Sequence, residues 1–305
     1  MIQVSVITPN LNMGDWLPLC VASVEDQQGV DIEHIIQDGG SSDHTLAWLR
    51  ERSRASADAT SGSWEHVRDD GSHYRLIWSS QQDAGMYDAV NKGLNLAKGA
   101  VCAYLNADEQ YLPGSLQYMH DHFISHAQHD IVFGDAVITN ADGDYCCSRQ
   151  VLVPTWLHTR TCSLGVLTAA MFFRRRILED HDMYFDTSWR NIGDVEWVLR
   201  AMQKGISMAV VRRYISVFTE TGNNLNLNPS GDVERQRLRG LSPQWPCWFT
   251  PLWTLLHRFR RLLHGLYHPK PFSYDLYTRV SPQKRVTRQV AKPTFYWRGR
   301  FFLMR

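Results

Sequence analysis

No stretch of this 305-residue chain approaches the roughly 18 consecutive apolar residues of a membrane-spanning helix. The first residues carry no basic segment followed by an apolar one, so no secretory leader is expected. The six cysteines (Cys20, Cys102, Cys146, Cys147, Cys162 and Cys247) form no CxxC pair and have no zinc-type spacing. They read as reduced thiols of a cytosolic protein. No Gly-x-Gly-x-x-Gly follows the first apolar run, which argues against a dinucleotide-dependent oxidoreductase. The thirteen histidines are read as surface or structural groups.

What is present describes a folded α/β protein. Hydrophobic residues make up 44% and charged ones 21%, which excludes a disordered chain and provides for a sizeable core. The net charge is +1 but unevenly spread. From His257 onward there are twelve Lys or Arg and one acid, Asp275, giving 12 − 1 = +11, so the remainder carries −10. A basic tail with an anionic partner and an acidic body are expected.

The organising stretch is Leu105-Asn106-Ala107-Asp108-Glu109. The apolar run Ala100–Leu105 leads into it, which predicts a buried strand ending in a carboxylate-bearing loop. Ligands of open α/β sheets sit at the carboxyl ends of strands. A short Asn-x-Asp there suits a hard divalent ion that leaves other positions to water and phosphate. Taken alone, it reads more readily as an acidic turn that caps the next helix.

Other segments support the same architecture. Val4–Thr8 and Ile32–Gln37 read as strands, as do Arg75–Ser79 and Ile131–Phe133, with helices between them at Trp16–Val24, Leu46–Leu49, Met86–Ala97 and Leu116–Ile124. Ala55–His73 is polar without a steady period and reads as a long exposed loop. Ala136–Ser148 reads as a hairpin turning near Asp142-Gly143, and Asp194–Lys204 as a helix stopped by Gly205. Asp38, Asp83, Asp108 and Asp194 each lie at an acidic turn. Carboxylates gathered without a cation would raise one another's pKa, a conflict that a metal–phosphate complex removes.

On four segments the chain resembles a family-2 glycosyltransferase with the GT-A fold, of the bacterial surface-polysaccharide type. These are Val6–Asn12, Gln37–Thr45, Asp83–Gly93 and Leu105–Glu109, and the resemblance covers roughly residues 1 to 220. It implies a Rossmann-like, mostly parallel sheet flanked by helices, divided into a nucleotide-sugar half (1–110) and an acceptor half (111–231). A basic amphipathic C-terminal extension (232–305) follows. It further implies that Thr8, Pro9 and Asn12 line the nucleotide and that Asp38 contacts the base, a uracil. Asp83, Tyr87, Asn91 and Lys92 would shape the donor pocket. Asn106 would contact ribose or metal, and Asp108 would hold Mg²⁺ or Mn²⁺ on the donor diphosphate. Asp194 is the expected general base with Glu196 as its fallback, in an inverting transfer from a UDP-sugar to a glycan or lipid-linked acceptor. No nucleic acid is expected among the partners.

Several bland readings stand beside these. Asp194 could be only an N-cap, Asp88 and Lys92 an ordinary i,i+4 ion pair, and Arg174-Arg175-Arg176 a solvated helix start. In the tail, Leu252, Leu255, Leu256, Phe259, Leu262, Leu263 and Leu266 repeat with helical spacing opposite His257, Arg258, Arg260, Arg261 and His264. With tryptophans nearby, residues 245–305 suit an anionic membrane surface or a helix packed on the catalytic body. The expected location is the cytoplasm, with or without that contact to the inner face of the cell membrane. Two other function classes remain open. A sugar nucleotidyltransferase would want a Gly-rich basic loop where Pro9-Asn10-Leu11-Asn12 stands. A non-catalytic nucleotide-binding module would have less need of all four carboxylates.

Overall fold

The computed structural model describes residues 2–222, 230–241 and 243–297. In chain order the first half contains β1 (Val4–Asn10), α1 (Leu17–Glu25), β2 (Ile32–Asp38), α2 (Thr45–Ser53), β3 (Ser61–Val67), β4 (His73–Ser80), α3 (Met86–Leu96), β5 (Val101–Tyr104), β6 (Glu109–Tyr111) and α4 (Ser115–Ser125). There follow β7 (Ile131–Asn140), β8 (Tyr145–Arg149), α5 (Trp156–Thr161), β9 (Met171–Arg174), α6 (Arg176–His181), α7 (Gly193–Gln203) and β10 (Met208–Glu220). The chain continues through α8 (Ser230–Gly240), α9 (Trp245–Trp248), α10 (Thr250–Leu263), β11 (Phe272–Leu276) and β12 (Val286–Val290).

Ten strands form one sheet in the order β3-β4-β2-β1-β5-β9-β7-β10-β6, with β8 added beside β7. β4, β2, β1 and β5 run parallel at its centre. Both faces of β1 and β2 are buried, which is why they read as unbroken runs. Alternate residues feed opposite cores. Val4, Val6, Ile32 and Ile36 pack under α1, α2 and α4, while Ile7 and Ile35 pack under α3, α6 and α7. The boundary at residue 110 falls inside β6, and β6 pairs antiparallel with β10, so one sheet runs through both halves. None of the described helices is long and apolar enough to cross a membrane.

Two expectations need correction. The stretch 55–73 is not a bare loop, because Ser61–Val67 pairs antiparallel with β4 as the edge strand. Its residues alternate between exposed and half-buried, and Ser, Glu and His fill most of its positions, so hydropathy carries no period-two signal. The C-terminal region is not simply an extension either. β11 and β12 form a hairpin whose Tyr274, Leu276 and Val290 join a core with Leu112, Val137 and Val217. Three arginines of the tail pair with acids of the body. Arg285 meets Asp26 at 2.5 Å, Arg279 meets Asp142 and Arg288 meets Asp144. Tyr277 is pinned to Gln110 through both backbone groups.

Candidate active site

Parallel register brings three strand ends level, with Asn10 beside Asp38 and Asp38 beside Ser80. Asp38 is 2% exposed, and its carboxylate accepts hydrogen bonds from Asn10 Nδ2 (2.7 Å), Ser80 Oγ (2.6 Å), Ser41 Oγ (2.5 Å) and the backbone of Gly40 and Ser41. Here Asp38 locks the loops together and presents no spare oxygen to a base. Thr8 is also internal. Its hydroxyl lies 2.8 Å from His34 Nε2, and His34 in turn meets Tyr74. Its side chain does not line a surface pocket, and Pro9 is likewise buried within β1. Asn12 is exposed at φ 53° and bridges to Ser41 and Ser42, so it faces the same loop. Asp83 lies against that loop too: a Cβ on Gly39 would stand 2.5 Å from Asp83 Oδ2, so only glycine allows the approach.

The loop after β5 is built by a reciprocal pair. The Asn106 amide donates to Glu109 Oε2 (2.9 Å), and the Glu109 amide donates to the Asn106 carbonyl (3.0 Å). This tie presents Asp108 at the turn. Burial pushes both Asp108 and Glu109 upward in pKa, and the Asp108 charge pushes Glu109 further. Glu109 also feels the charge of Asp194, as does buried Tyr104.

Asp194 begins α7. Burial raises its carboxyl to about 6, while the Val195 amide, the Tyr87 hydroxyl and the nearby Arg235 draw it back. The Tyr87 hydroxyl donates to Asp194 Oδ1 at 3.4 Å and accepts from the Asp194 amide at 3.0 Å. Gly193 is required here, since a Cβ would fall 2.6 Å from the Tyr87 ring. The Asn91 side chain clamps the Phe185 backbone in both directions, at 2.8 and 2.9 Å, and Phe185 stacks on Tyr87. Tyr87 and Asn91 thus hold α3 against the approach to α7. Asn91 positions the site, with one donor and one acceptor of its amide spent on the Phe185 backbone.

Other candidates leave the site. Glu196 pairs with Arg200 at 2.9 Å along α7, and Arg200 also binds the Tyr184 carbonyl, so the fallback base is committed elsewhere. Lys92 pairs with Asp88 at 3.0 Å and donates to the Gln82 carbonyl, while Asp88 also accepts from the Ala84 amide. That pair caps α3. Arg174 binds the carbonyls of Phe123, His126 and His129, and Arg176 pairs with Asp130. Reasoning from sequence missed Glu109 and Glu234. The Glu234 carboxylate accepts from the backbone amides of Arg190, Asn191 and Ile192 at 2.7–3.0 Å, fixing the entry to α7 from α8. An acid 42 to 44 residues from the amides it binds leaves no local trace.

Among the described residues, no three His, Cys, Asp or Glu side chains are grouped to hold a metal ion by themselves. Asp108 is one buried-edge carboxylate on a turn, and it fits a hard cation that shares its remaining positions with phosphate. The donor set suits an ion arriving with a diphosphate better than a closed protein cage.

Residues 5–181 match the family described as "Glycosyl transferase family 2". A PGL/p-HBAD biosynthesis glycosyltransferase of Mycobacterium bovis (strain BCG / Pasteur 1173P2) is 26% identical over 242 residues, covering 78% of this chain and 83% of that protein. A glycosyltransferase of Nostoc sp. is 28% identical over 195 residues, covering 62% and 56%. Among solved structures, S. aureus TarS superposes with a TM-score of 0.54 at 17% identity, over 78% of this chain but only 39% of the TarS chain. Its 1–349 fragment with UDP-GlcNAc gives a TM-score of 0.55 at 17% identity, over 78% and 65%. At that identity the likeness speaks for the fold, which is GT-A.

Proposed function

The chain belongs to glycosyl transferase family 2, and from that premise we propose an inverting transfer of a sugar from a UDP-sugar to a glycan or lipid-linked hydroxyl in surface-polysaccharide synthesis. The observation that carries the reading is Asp194, a half-buried carboxylate in the first turn of α7 that the Tyr87 hydroxyl of α3 holds in place. The name of the mycobacterial relative and the UDP and UDP-GlcNAc complexes of TarS support the substrate class.

In this reading the acceptor hydroxyl gives its proton to Asp194 as its oxygen attacks the anomeric carbon. The bond from that carbon to the phosphate oxygen breaks, and its electron pair leaves with the nucleoside diphosphate. A carboxylate with a pKa near 6 is ionised at neutral pH yet basic enough to take the proton. Tyr87 and Gly193 fix its position, and Glu234 holds the segment before it. Mg²⁺ or Mn²⁺, held by Asp108 and the donor's own phosphates, would supply neutralisation of the leaving diphosphate. Attack from the face opposite the leaving group inverts the anomeric centre.

Calorimetric titration with a panel of nucleoside diphosphates, each with and without Mn²⁺, tests this. UDP is expected to bind at least about tenfold tighter than the others, roughly 1.4 kcal/mol, and to need the ion. Binding of no nucleoside diphosphate would sink the reading. Tight binding without transfer from any donor would leave a binding module.

A further inference from the structure

The helix α10 is docked inside out. Thr250, Thr254, His257 and Arg261 fall on one face, and that polar face is the one turned to the protein. Arg261 is 7% exposed and donates to the Gln150 carbonyl at 2.9 Å, and Arg260 donates to the Val153 carbonyl. His257 stacks on His158 with centroids 3.9 Å apart, and Thr254 meets Cys162 at 3.3 Å. The opposite face carries Leu252, Leu255, Leu256, Phe259, Leu262 and Leu263, between 44% and 69% exposed. Trp248, at the end of the adjoining α9, is 75% exposed. An apolar stripe this continuous is uncommon on a monomer surface, since single exposed leucines are ordinary but a whole helix face is not.

We propose that this face of α9 and α10 seats the protein on an anionic lipid bilayer. Charge selects the occupant. Residues 243–270 contain no acid; Arg258 and Lys270 are exposed and Arg260 half-buried, so this segment brings only cations to the flanks of the stripe, Arg261 being turned inward. A second copy of the chain would bring like charge to the same border, whereas anionic headgroups complement it. An amphipathic helix with arginines and an aromatic end is built to lie in the headgroup plane with its leucines in the acyl boundary. The placement also serves the site. α5 packs against α10 and also against α7 and α8, so one short helix joins α10 to the helix that carries Asp194. The inference rests on the orientation of α10 and not on the transfer chemistry.

The test is flotation of the full chain with vesicles of phosphatidylcholine alone and of phosphatidylcholine with phosphatidylglycerol. The wild type is expected to float with the anionic vesicles, and the double variant Leu255→Asp, Phe259→Asp to lose at least tenfold of that binding. Both substitutions lie on the outward face, and Trp248→Ser tests the same surface from α9. Circular dichroism and an unchanged UDP titration certify that each variant is folded. Wild type that stays in the bottom fraction with both vesicle types overturns the proposal. So does equal flotation of the variants, or a stable dimer in sedimentation that Leu255→Asp, Phe259→Asp dissociates. Flotation needs neither donor nor turnover, so its failure is distinct from failure of the transferase reading.

Discussion

At the carboxyl edge of β1, β2 and β4 the polar groups converge on one another while the apolar side chains of the same strands fill the core; on α10 Thr254, His257 and Arg261 turn to the protein and the apolar side chains face outward. Both regions were patterned with the correct period in the sequence. The difference is what each pattern was packed against. A sheet edge has its partners fixed by register, so Asp38 must meet Asn10 and Ser80. A surface helix has no such constraint, and its burial is decided by the groove it enters. Around residues 150–165 that groove offers carbonyls, an imidazole and a thiol, and so it selects the arginine face.

The largest effect should come from the site half of this comparison. Asp194→Asn keeps the shape and the hydrogen bond from the Val195 amide but cannot take a proton. Turnover should fall about a thousandfold, within the range of a lost general base, while UDP titration stays unchanged. Turnover within a few-fold of wild type would remove Asp194 from its role. Next in size is Asp38→Ala, which leaves Asn10, Ser41 and Ser80 without their shared acceptor inside a buried network. A loss of about 3 kcal/mol in urea unfolding is expected, with nucleotide affinity reduced only as the loops loosen. If stability held while affinity collapsed, Asp38 would be a ligand contact and not a lock.

A smaller effect reads the same carboxylate through pH. Burial raises Asp194 from the ordinary carboxylate range to about 6, so between pH 4 and 6 the folded state holds a proton that the unfolded state has released. The raised value therefore favours folding at low pH and weakens it as pH rises through about 6. Asp194→Asn should be more stable than wild type by about 2 kcal/mol at pH 8, and the advantage should vanish below pH 4. Activity moves the other way, rising with pH through about 6 as the base ionises. A flat stability difference between pH 4 and 8 would show that the Asp194 carboxyl is not raised as described.

What was legible in the sequence was local. The Asp38-Gly39-Gly40 turn, the Asp83 loop, the Asn106–Glu109 turn and the helix at Asp194 each carry their own glycine or carboxylate, and each stands at the end of the element expected. What was not legible is pairing at a distance. Asn91 looked like a ligand contact because its partner, the Phe185 backbone, lies 94 residues away. Thr8 stands near the strand end, yet its hydroxyl turns to His34 within the sheet. Glu196 is two residues from Asp194, but on a helix that spacing turns it to another face, where Arg200 holds it. β10 carries Arg212 and Arg213 at a bulge in its pairing with β7, which breaks the apolar run a strand should show.

The smallest expected effect is on α10. Leu255→Ser and Phe259→Ser remove large apolar side chains that are 63% and 54% exposed, so little buried surface is lost. Each should change unfolding free energy by no more than about 0.5 kcal/mol in lipid-free buffer. Leu116→Ala in α4 is the matching control. Leu116 is fully buried against the sheet, and truncating it should cost about 2–5 kcal/mol. A cost for Leu255→Ser approaching that of Leu116→Ala would mean that protein already covers the apolar face of α10 in solution. The contrast between the two regions would then disappear, because both would bury their apolar residues and α10 would have a partner within the chain or in a second copy.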